Sequence, residues 1–265
     1  MKWGRIEAGG KAVRVVIENG GLRTADGTRY PLSRAKLLPP VVPGNFYAAG
    51  LNFRAHIDWT NQHHGTSYKV PTQADIGYRS SNALVGSGAD IIIPADSTGP
   101  VEFEGELVAV IGKQGRNLSE ADALDCVAGY TLGNDVSERT WQRNDRTLWR
   151  AKNTDTFKPM GPYVVDGIDP MAQDIEVRIN GRTVSRYNTR GMIFSVAHYI
   201  SRMSRYLTLC AGDVIWFGCD GPTVPELQPG DLVEVMNDAI GVLANRVRMG
   251  TEVRARPSNS KPVTN

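Results

Sequence analysis

The segment VEFEGELVAVI, residues 101–111, carries three glutamates at alternate positions around the start of an apolar run. Side chains of a β-strand alternate between two faces, so Glu102, Glu104 and Glu106 are expected on one face and Phe103 on the other. Carboxylates crowded on one face repel one another and raise each other's pKa unless water, cations or a metal ion lie among them. Taken alone, the segment favours a solvated strand end, because charged side chains are mostly exposed.

The composition is that of an ordinary globular protein. The chain has 265 residues, 41% hydrophobic and 22% charged, with a formal charge of +2, which suits one large domain or one large and one small domain. Basic and acidic residues are interspersed without a basic stripe, which argues against a nucleic-acid partner. No apolar run approaches the roughly 18–20 residues that span a bilayer, so no membrane partner is expected.

The cysteine content indicates a reducing compartment. Cys126, Cys210 and Cys219 are odd in number and widely spaced, which fits neither a disulfide framework nor a CxxC metal site. We therefore predict a cytoplasmic location.

Short alternating runs separated by turn signals predict a β-rich α+β fold. The first 36 residues combine runs such as AVRVVI with the turns NGG and ADG, as hairpins do, and LLPPVVPG then contains three prolines that favour extended backbone. We predict a small N-terminal β-rich cap and linker over residues 1–44, a larger domain over residues 45–250 and a flexible tail over residues 251–265.

Two segments are predicted to be helical and one to be a lid. SEADALDCVAGY, residues 119–130, begins with side chains that suit a helix N-terminus, and MIFSVAHYISRMSRYLT, residues 192–208, has apolar side chains at helical spacing. Residues 59–78 show neither hydrophobic period and exceed the usual length of a connection. We predict a mobile lid or binding loop there.

A further acidic signal is Asp135, in GNDVSER at residues 133–139. In isolation this aspartate is as consistent with a helix N-cap as with a functional carboxylate. Gln142 and Lys152 follow it before a turn rich in proline and glycine, which favours a functional site. Two glutamates from one strand face and one distant aspartate form a sensible set of oxygen ligands for a hard divalent cation such as Mg²⁺.

Together these motifs resemble the fumarylacetoacetate hydrolase superfamily, and in particular its acylpyruvase-like members. FEGELVAVIG resembles the family's metal-binding strand YExEL, GYTLGNDVSERTWQ resembles GYTxxNDxSxRxxQ, and KNTDTFKPMGP resembles KxxDTFxPxGP. Further similar segments occur in the expected order between about residues 48 and 247. The resemblance implies the family's mixed β-sandwich roll, preceded here by the small β cap, and a homodimer.

The resemblance also implies a metal site and roles for individual side chains. Glu104, Glu106 and Asp135 would bind Mg²⁺ or Mn²⁺, with Ca²⁺ as a third option, and Glu102 would support them. Lys152 would be a catalytic residue that places a positive charge beside a substrate oxygen as charge develops. The implied substrate-binding residues are Arg79, Arg139, Gln142 and Cys219.

His56, in GLNFRAH, resembles the family histidine that activates water, and an imidazole titrates near neutrality as a general base must. Hydrolytic relatives commonly place a glutamate three residues later, where this chain has Trp59. Asp58 is two residues after the histidine, and we predict that it orients the imidazole if the local backbone allows. Arg79 and Cys219 stand where relatives often have lysine and threonine, respectively.

Three functions remain open from the sequence. The first is metal-dependent hydrolysis of a carbon–carbon bond in a 2,4-dioxo acid, an acylpyruvate-type intermediate of aromatic or related catabolism. The second keeps the metal site but changes the reaction to decarboxylation or keto–enol isomerisation of a 2-oxo acid, in which water activation by His56 matters less. The third is a protein without catalysis that binds the metal and a 2-oxo acid. The sequence leaves the exact substrate and the choice of metal undetermined.

Overall fold

A computed structural model describes residues 1–18 and 20–251 of the chain. Apart from its first residue, the segment predicted to be a flexible tail lies outside the described residues. The prediction of a β-rich α+β fold is confirmed, since 40% of the structure is strand and 18% is helix. No helix within these two ranges is long and apolar enough to cross a membrane.

Strands dominate the chain from end to end. In chain order they are β1 (Lys2–Ala8), β2 (Lys11–Glu18), β3 (Gly21–Thr24), β4 (Arg29–Pro31), β5 (Lys36–Leu38), β6 (Phe46–Ala49), β7 (Ile76–Tyr78), β8 (Leu84–Val85), β9 (Asp90–Ile93), β10 (Val101–Glu102), β11 (Gly105–Ile111), β12 (Val127–Asn134), β13 (Ser137–Glu138), β14 (Lys158–Val165), β15 (Asp174–Ile179), β16 (Arg182–Asn188), β17 (Val214–Trp216), β18 (Leu232–Asn237) and β19 (Gly241–Met249). The α-helices are α1 (Arg54–His64), α2 (Arg139–Asn144), α3 (Trp149–Asn153) and α4 (Val196–Ser204).

Two mixed sheets form the body of the fold. The larger sheet has twelve strands in the spatial order β4-β3-β2-β1-β14-β12-β11-β17-β6-β7, with β5 paired to β1 and β8 to β14. The smaller sheet has five strands in the order β16-β15-β18-β19-β9, and β10 and β13 form a separate pair. Strands β11, β12 and β14 pack against β15, β18 and β19, so the two sheets face each other across the main core.

Strand β11 lies at the centre of this arrangement and is buried along its whole length. Leu107, Ala109 and Ile111 face the core between the sheets, whereas Val108 and Val110 belong to a second apolar cluster on the opposite face. Burial on both faces explains why the strand reads as a continuous apolar run rather than an alternating one.

Position 105, between two of the glutamates, must be glycine because the two sheets approach each other closely there. A Cβ atom at this position would lie 2.6 Å from Cγ2 of Val177 on β15 and 3.1 Å from Cγ1 of Val235 on β18. Only a residue without a side chain fits so close a contact without displacing the smaller sheet. The glutamates on either side are thereby held at the edge of the core.

The N-terminal hairpins predicted over the first 36 residues are present. Strands β1 to β4 pair antiparallel in succession, and β1 also pairs with β14 through Lys2 opposite Val165 and Trp3 opposite Val164. The N-terminal strands therefore continue the large sheet.

The predicted helix at residues 119–130 is wrong. A 3₁₀ turn over Ala123–Cys126 leads directly into strand β12. That strand pairs with β11 on one side and with β14 on the other. Hydrogen bonding between strands outweighs the local helical preference of the segment.

The predicted loop at residues 59–78 is wrong for its first part. Helix α1 continues to His64 and ends at Gly65, which has a φ of 62°, and left-handed backbone of this kind favours glycine. The helix buries only Ile57, so its sequence shows no apolar period. The predicted helix at residues 192–208 is confirmed over α4, where the Ser195 hydroxyl accepts a hydrogen bond from the His198 backbone N–H.

Candidate metal and substrate site

A cavity of about 790 Å³ opens beside the start of β11. Five parts of the chain line it: the end of β6 with helix α1, the segments on either side of β7, the acidic residues at the start of β11 and the end of β12, helices α2 and α3, and the turn after β17. The predicted residues that line it are His56, Arg79, Glu104, Glu106, Asp135, Arg139, Gln142, Lys152 and Cys219.

The three carboxylates predicted to be metal ligands lie together and are buried. Glu104 directly precedes β11, Glu106 lies within it, and Asp135 directly follows β12. Antiparallel pairing of the two strands brings the residues together, and the Asp135 backbone N–H donates to the Glu104 carbonyl at 2.8 Å. One oxygen from each carboxylate lies within 4.8 Å of the others.

Cationic side chains neutralise two of these carboxylates. Lys152 Nζ lies 2.9 Å from Glu104 Oε2 and 2.8 Å from Asp135 Oδ2. Arg139 donates to Glu104 Oε1 at 2.7 Å, and Arg79 donates to Asp135 Oδ2 at 3.1 Å. Burial alone would raise the pKa of Glu104, but Lys152 and Arg139 outweigh it and lower that pKa to about 2.

The pKa of Asp135 is also lowered by its cationic neighbours. Burial opposes its ionisation, but Arg79, Lys152 and Lys158 hold its pKa well below the ordinary value. Both Glu104 and Asp135 are therefore anionic at neutral pH.

Glu106 has a different environment. Its Oε2 accepts a hydrogen bond from the Gly218 backbone N–H at 2.7 Å, and it forms no ion pair with a cation among the described residues. Burial, followed by repulsion from Asp135 and Glu104, raises its pKa well above the ordinary value. A divalent cation would relieve this repulsion, and a buried set of three carboxylate oxygens suits such an ion. The residues therefore fit a divalent metal.

Glu102 supports the site from outside the set of three. Its Oε2 accepts a hydrogen bond from Arg139 Nε at 2.7 Å and another from the Thr223 hydroxyl. Gln142 Oε1 accepts a hydrogen bond from Arg139 Nη1 at 2.6 Å. These contacts fix the guanidinium that binds Glu104.

Lys158 is part of the site, and the sequence analysis missed it. It is fully buried at the start of β14, 2.7 Å from Asp135 Oδ1, and it donates to the carbonyls of Val136 and Phe157 at 2.9 Å. Burial, together with the nearby Lys152, lowers its pKa to about 7 despite the attraction of Asp135. The available signal was a lysine at the start of an apolar strand, within the quoted KNTDTFKPMGP.

His56 faces the same cavity from the first turn of α1. Burial is the main cause that lowers its pKa, and Arg139 and Lys152 add to the effect against the opposing charge of Glu104. The imidazole is therefore neutral at physiological pH. Its Nδ1 lies 3.6 Å from Cys219 Sγ.

The structure does not bring Asp58 to the imidazole. The Asp58 side chain is exposed and does not line the cavity, because residues two positions apart on a helix point in different directions. Trp59, at the position where hydrolytic relatives have glutamate, does line the cavity, with its ring centroid 6.4 Å from that of His56. Among the residues with known positions, no carboxylate hydrogen-bonds to this histidine.

Cys219 is buried against His56 and lies in the cavity wall. Burial raises the pKa of its thiol well above the ordinary value, and Glu104 and Glu106 add to this effect. The side chain is therefore a neutral thiol rather than a thiolate nucleophile. All three cysteines are free.

Residues 45–248 match the family model described as fumarylacetoacetate hydrolase, C-terminal. The chain is 36% identical to an oxaloacetate tautomerase of Xenopus laevis over 89% of this chain and 78% of that protein. Among solved structures it resembles a 5-carboxymethyl-2-hydroxymuconate delta-isomerase from Mycobacterium smegmatis, with a TM-score of 0.84, 32% identity and coverage of 95% of this chain and 100% of that one.

A third resemblance concerns the fold alone. The structure of a maleylpyruvate hydrolase from Sphingobium, described as a complex with manganese(II) and pyruvate, matches with a TM-score of 0.79 and 23% identity, over 95% of this chain and 100% of that one. Proteins similar to this chain thus carry the names of hydrolases, isomerases and tautomerases. The matched domain and these relatives show that the chain belongs to the fumarylacetoacetate hydrolase family.

Proposed function

We propose that this protein is a metal-dependent enzyme that interconverts the keto and enol forms of a 2-oxo acid. The observation that carries this proposal is His56, a neutral imidazole in the same cavity as the three carboxylates that has no hydrogen-bonded carboxylate among the described residues. The names of the tautomerase and isomerase relatives support the same reaction class.

The carboxylates of Glu104, Glu106 and Asp135 would hold a divalent ion, Mg²⁺ or Mn²⁺. When bound, such an ion supplies positive charge beside the substrate's carboxylate and 2-oxo oxygens. Lys152 already lies between Glu104 and Asp135, so its ammonium can donate a hydrogen bond to an oxygen that gains negative charge. Arg79 and Arg139 keep Asp135 and Glu104 ionised and in position.

His56 would move the proton at C3 of the substrate. A cation beside the 2-oxo oxygen makes the C3 hydrogen more acidic by stabilising the enolate, and a neutral imidazole within reach can act as the general base for this step. Removing a proton from water or from C3 forms the same imidazolium close to Arg139 and Lys152, with Glu104 as the opposing charge. His56 lacks the glutamate that hydrolytic relatives commonly place three residues later, where this chain has Trp59, and this difference favours isomerisation over hydrolysis.

Hydrolysis of a carbon–carbon bond in a 2,4-dioxo acid is the second candidate. His56 occupies the cavity wall in a motif that resembles the water-activating histidine of hydrolytic relatives, and one related protein is named a 2,4-didehydro-3-deoxy-L-rhamnonate hydrolase. If water is activated here, the Cys219 thiol is the group beside the imidazole.

The test is a panel of 2-oxo and 2,4-dioxo acids incubated with the Mg²⁺-loaded protein in D₂O and followed by NMR. Isomerisation predicts catalysed exchange of the C3 hydrogens without new carbon skeletons. Release of pyruvate and a second acid would select hydrolysis, and release of carbon dioxide would select decarboxylation. Absence of both exchange and products across the panel would contradict an enzymatic role.

We also propose that the protein is a homodimer, as the resemblance to the family implies. Light scattering after size-exclusion chromatography would distinguish a dimer from a monomer of 28.9 kDa.

A further inference from the structure

We propose that Cys219 is a positioning residue for His56: its sulfur accepts the Nδ1–H hydrogen, so that the unprotonated Nε2 faces the substrate. The inference rests on the proposed function, because that function makes the His56 imidazole the base that moves the substrate proton. The neighbouring thiol then selects which of the two ring nitrogens acts.

The Nδ1 edge of the imidazole lies against residues 218–221, the segment that follows β17. Cys219 Sγ is 3.6 Å from His56 Nδ1, within reach of a hydrogen bond to sulfur. A Cβ atom at Gly221 would lie 3.4 Å from Nδ1 and 3.4 Å from the His56 Cα. This edge of the ring is therefore covered by the chain itself, and Nδ1 is not the nitrogen that a substrate would reach.

The other ring nitrogen, Nε2, has a different environment. It forms no hydrogen bond with any residue that the structure describes, and His56 lines the cavity that contains the three carboxylates. A neutral imidazole carries its hydrogen on one nitrogen and a lone pair on the other. His56 can therefore act as a base toward the cavity only when the hydrogen is on Nδ1 and the lone pair is on Nε2.

Cys219 supplies acceptors for the Nδ1 hydrogen. Burial raises the pKa of its thiol well above the ordinary value, so the sulfur is uncharged, and a thiol sulfur is a weak acceptor. Burial lowers the pKa of His56, whereas hydrogen bonding to the Cys219 backbone raises it, as expected when a carbonyl accepts from a ring N–H. Both parts of this residue favour a hydrogen on Nδ1.

The competing arrangement is a thiol that donates to Nδ1, which would place the ring hydrogen on Nε2. The Nε2–H would then point toward the cavity, where Arg139 and Lys152 disfavour positive charge on the imidazole and Glu104 attracts it. A divalent ion held by the carboxylates would cancel the attraction of Glu104 and add its own repulsion. These charges favour the lone pair on Nε2.

Residues 218–221 are fixed relative to both the carboxylates and helix α1. The Gly218 backbone N–H donates to Glu106 Oε2 at 2.7 Å. Directly before this segment, the Phe217 carbonyl accepts a hydrogen bond from Asn52 Nδ2 at 3.2 Å, and Asn52 lies two residues before α1. The distance between the sulfur and the imidazole is therefore set by the fold.

The first experiment reads the tautomer of the wild-type protein directly. The chain has four histidines, and long-range ¹H–¹⁵N correlation on the Mg²⁺-loaded protein with ¹⁵N-labelled histidine distinguishes the two nitrogens of each ring. The variant His56→Ala identifies the signals of His56 by their loss. We expect the wild-type protein to carry the hydrogen on Nδ1. A hydrogen on Nε2 would overturn the proposal, whether or not the protein is active.

A matched pair of variants assigns the effect to the side chain. Cys219→Thr and Cys219→Val introduce side chains of the same shape, but only threonine can accept the Nδ1 hydrogen. The threonine variant should keep the Nδ1–H tautomer and a kcat within about two-fold of the wild-type value. The valine variant should shift part of the population to Nε2–H and lower kcat about three- to ten-fold at unchanged KM, the effect of one neutral hydrogen bond.

The control is Cys210→Val, which alters an exposed cysteine that does not line the cavity and should change neither the tautomer nor kcat. Equal tautomers and equal kcat in the threonine and valine variants of Cys219 would overturn the role of the sulfur. A raised KM with an unchanged tautomer in the valine variant would make Cys219 a substrate contact and would also overturn it.

Failure of the proposed function is distinguishable from failure of this inference. If the wild-type protein exchanges the C3 hydrogens of no acid in the panel, the proposed function is wrong, and the NMR signals still decide whether Cys219 holds the hydrogen on Nδ1. If exchange occurs while the hydrogen is on Nε2, the function stands and the positioning role of Cys219 is wrong.

Discussion

The inner end of the cavity, around Glu104, Glu106 and Asp135, is carried on paired strands, whereas the outer end, around Lys69 and Arg143, is carried on a loop and a short helix. Inner charges are buried and joined by ion pairs, and outer charges are exposed. A charge in water is screened and its loss costs little, whereas an uncompensated buried charge is costly. Substitutions at the inner end are therefore expected to have large effects, and substitutions at the outer end small ones.

If the inner end performs the chemistry, Asp135→Asn should have the largest effect. It weakens a buried ligand set and leaves Arg79 and Lys152 without their shared partner. We expect exchange activity to fall by more than about 10³-fold, because charge stabilisation by a metal ion contributes several kcal/mol. Chelation should have the same effect, and added Mg²⁺ or Mn²⁺ should reverse it.

The control for this variant is Asp238→Asn, which alters an exposed aspartate and should leave turnover unchanged. Calorimetric titration with Mn²⁺ gives an independent measure, since Asp135→Asn should weaken metal binding. Full turnover in a metal-free preparation would contradict the role given to the inner end.

Replacing His56 tests whether this residue is the general base. His56→Ala should lower kcat by about 10²–10⁴-fold, the usual contribution of a positioned general base. Asp58→Asn is the matched control on the same helix and should change kcat less than about two-fold, since its exposed side chain contributes little. Carbon dioxide release that is insensitive to His56→Ala would instead favour decarboxylation.

The pH profile sharpens the same prediction. Because the pKa of His56 is lowered from its ordinary value of 6.5, the neutral base form persists at more acidic pH. The acid limb of kcat/KM should therefore lie below pH 6.5. An acid limb above that value would contradict a buried, neutral imidazole as the base.

Lys158→Met tests how far the inner end depends on compensation of its charges. The substitution removes the Lys158 amino group, which lies 2.7 Å from Asp135, and its two hydrogen bonds to carbonyls. We expect the free energy of unfolding to fall by about 1–3 kcal/mol, the cost of unsatisfied buried groups, in urea denaturation without metal. Lys113→Met, at an exposed position, is the control, and equal stability of the two variants would make Lys158 dispensable.

Asn61→Ala should have the smallest effect, because it acts only on the loop of the outer end. Losing the hydrogen bonds to Tyr68 and Thr66 should speed amide exchange over residues 65–70 and raise KM about three-fold, the effect of one weak hydrogen bond. Gln62→Ala, at an exposed neighbouring position, is the control.

The predicted lid is tested in the same measurements. Residues 65–78 should show more protection from hydrogen exchange when a 2-oxo acid is bound than when it is absent. Equal protection in both states would argue against closure of this segment.

The sequence predicted the inner end better than the outer end for a physical reason. Glu104, Glu106 and Asp135 are brought together by backbone pairing between β11 and β12, and the sequence analysis grouped them through the resemblance of their motifs to those of the family. Lys158 was missed because a lysine is seldom buried unless paired, and its partner lies on another element. The loop that carries Lys69 is held by hydrogen bonds between the Asn61 side chain and the Tyr68 backbone, and such contacts leave no hydrophobic period in the sequence.

Secondary structure was mispredicted where tertiary contacts decide the outcome. The segment at 119–130 begins with residues that suit a helix N-terminus. Its second half nevertheless belongs to β12, which forms hydrogen bonds with a neighbouring strand on both edges. Helix α1 was overlooked because it buries a single side chain, Ile57. Asp58 was assigned to His56 for the same reason, since an unrecognised helix hides which residues share a face.

The close contact at Gly105 has a consequence for sequence change within the family. A methyl group there would fall within 2.6 Å of Val177 and 3.1 Å of Val235, so any larger residue requires space to be made on β15 or β18. Residues 105, 177 and 235 are therefore expected to covary, with bulk gained at the first offset by bulk lost at the others. The spacing between the two glutamates can then be conserved while the residues of the surrounding core change.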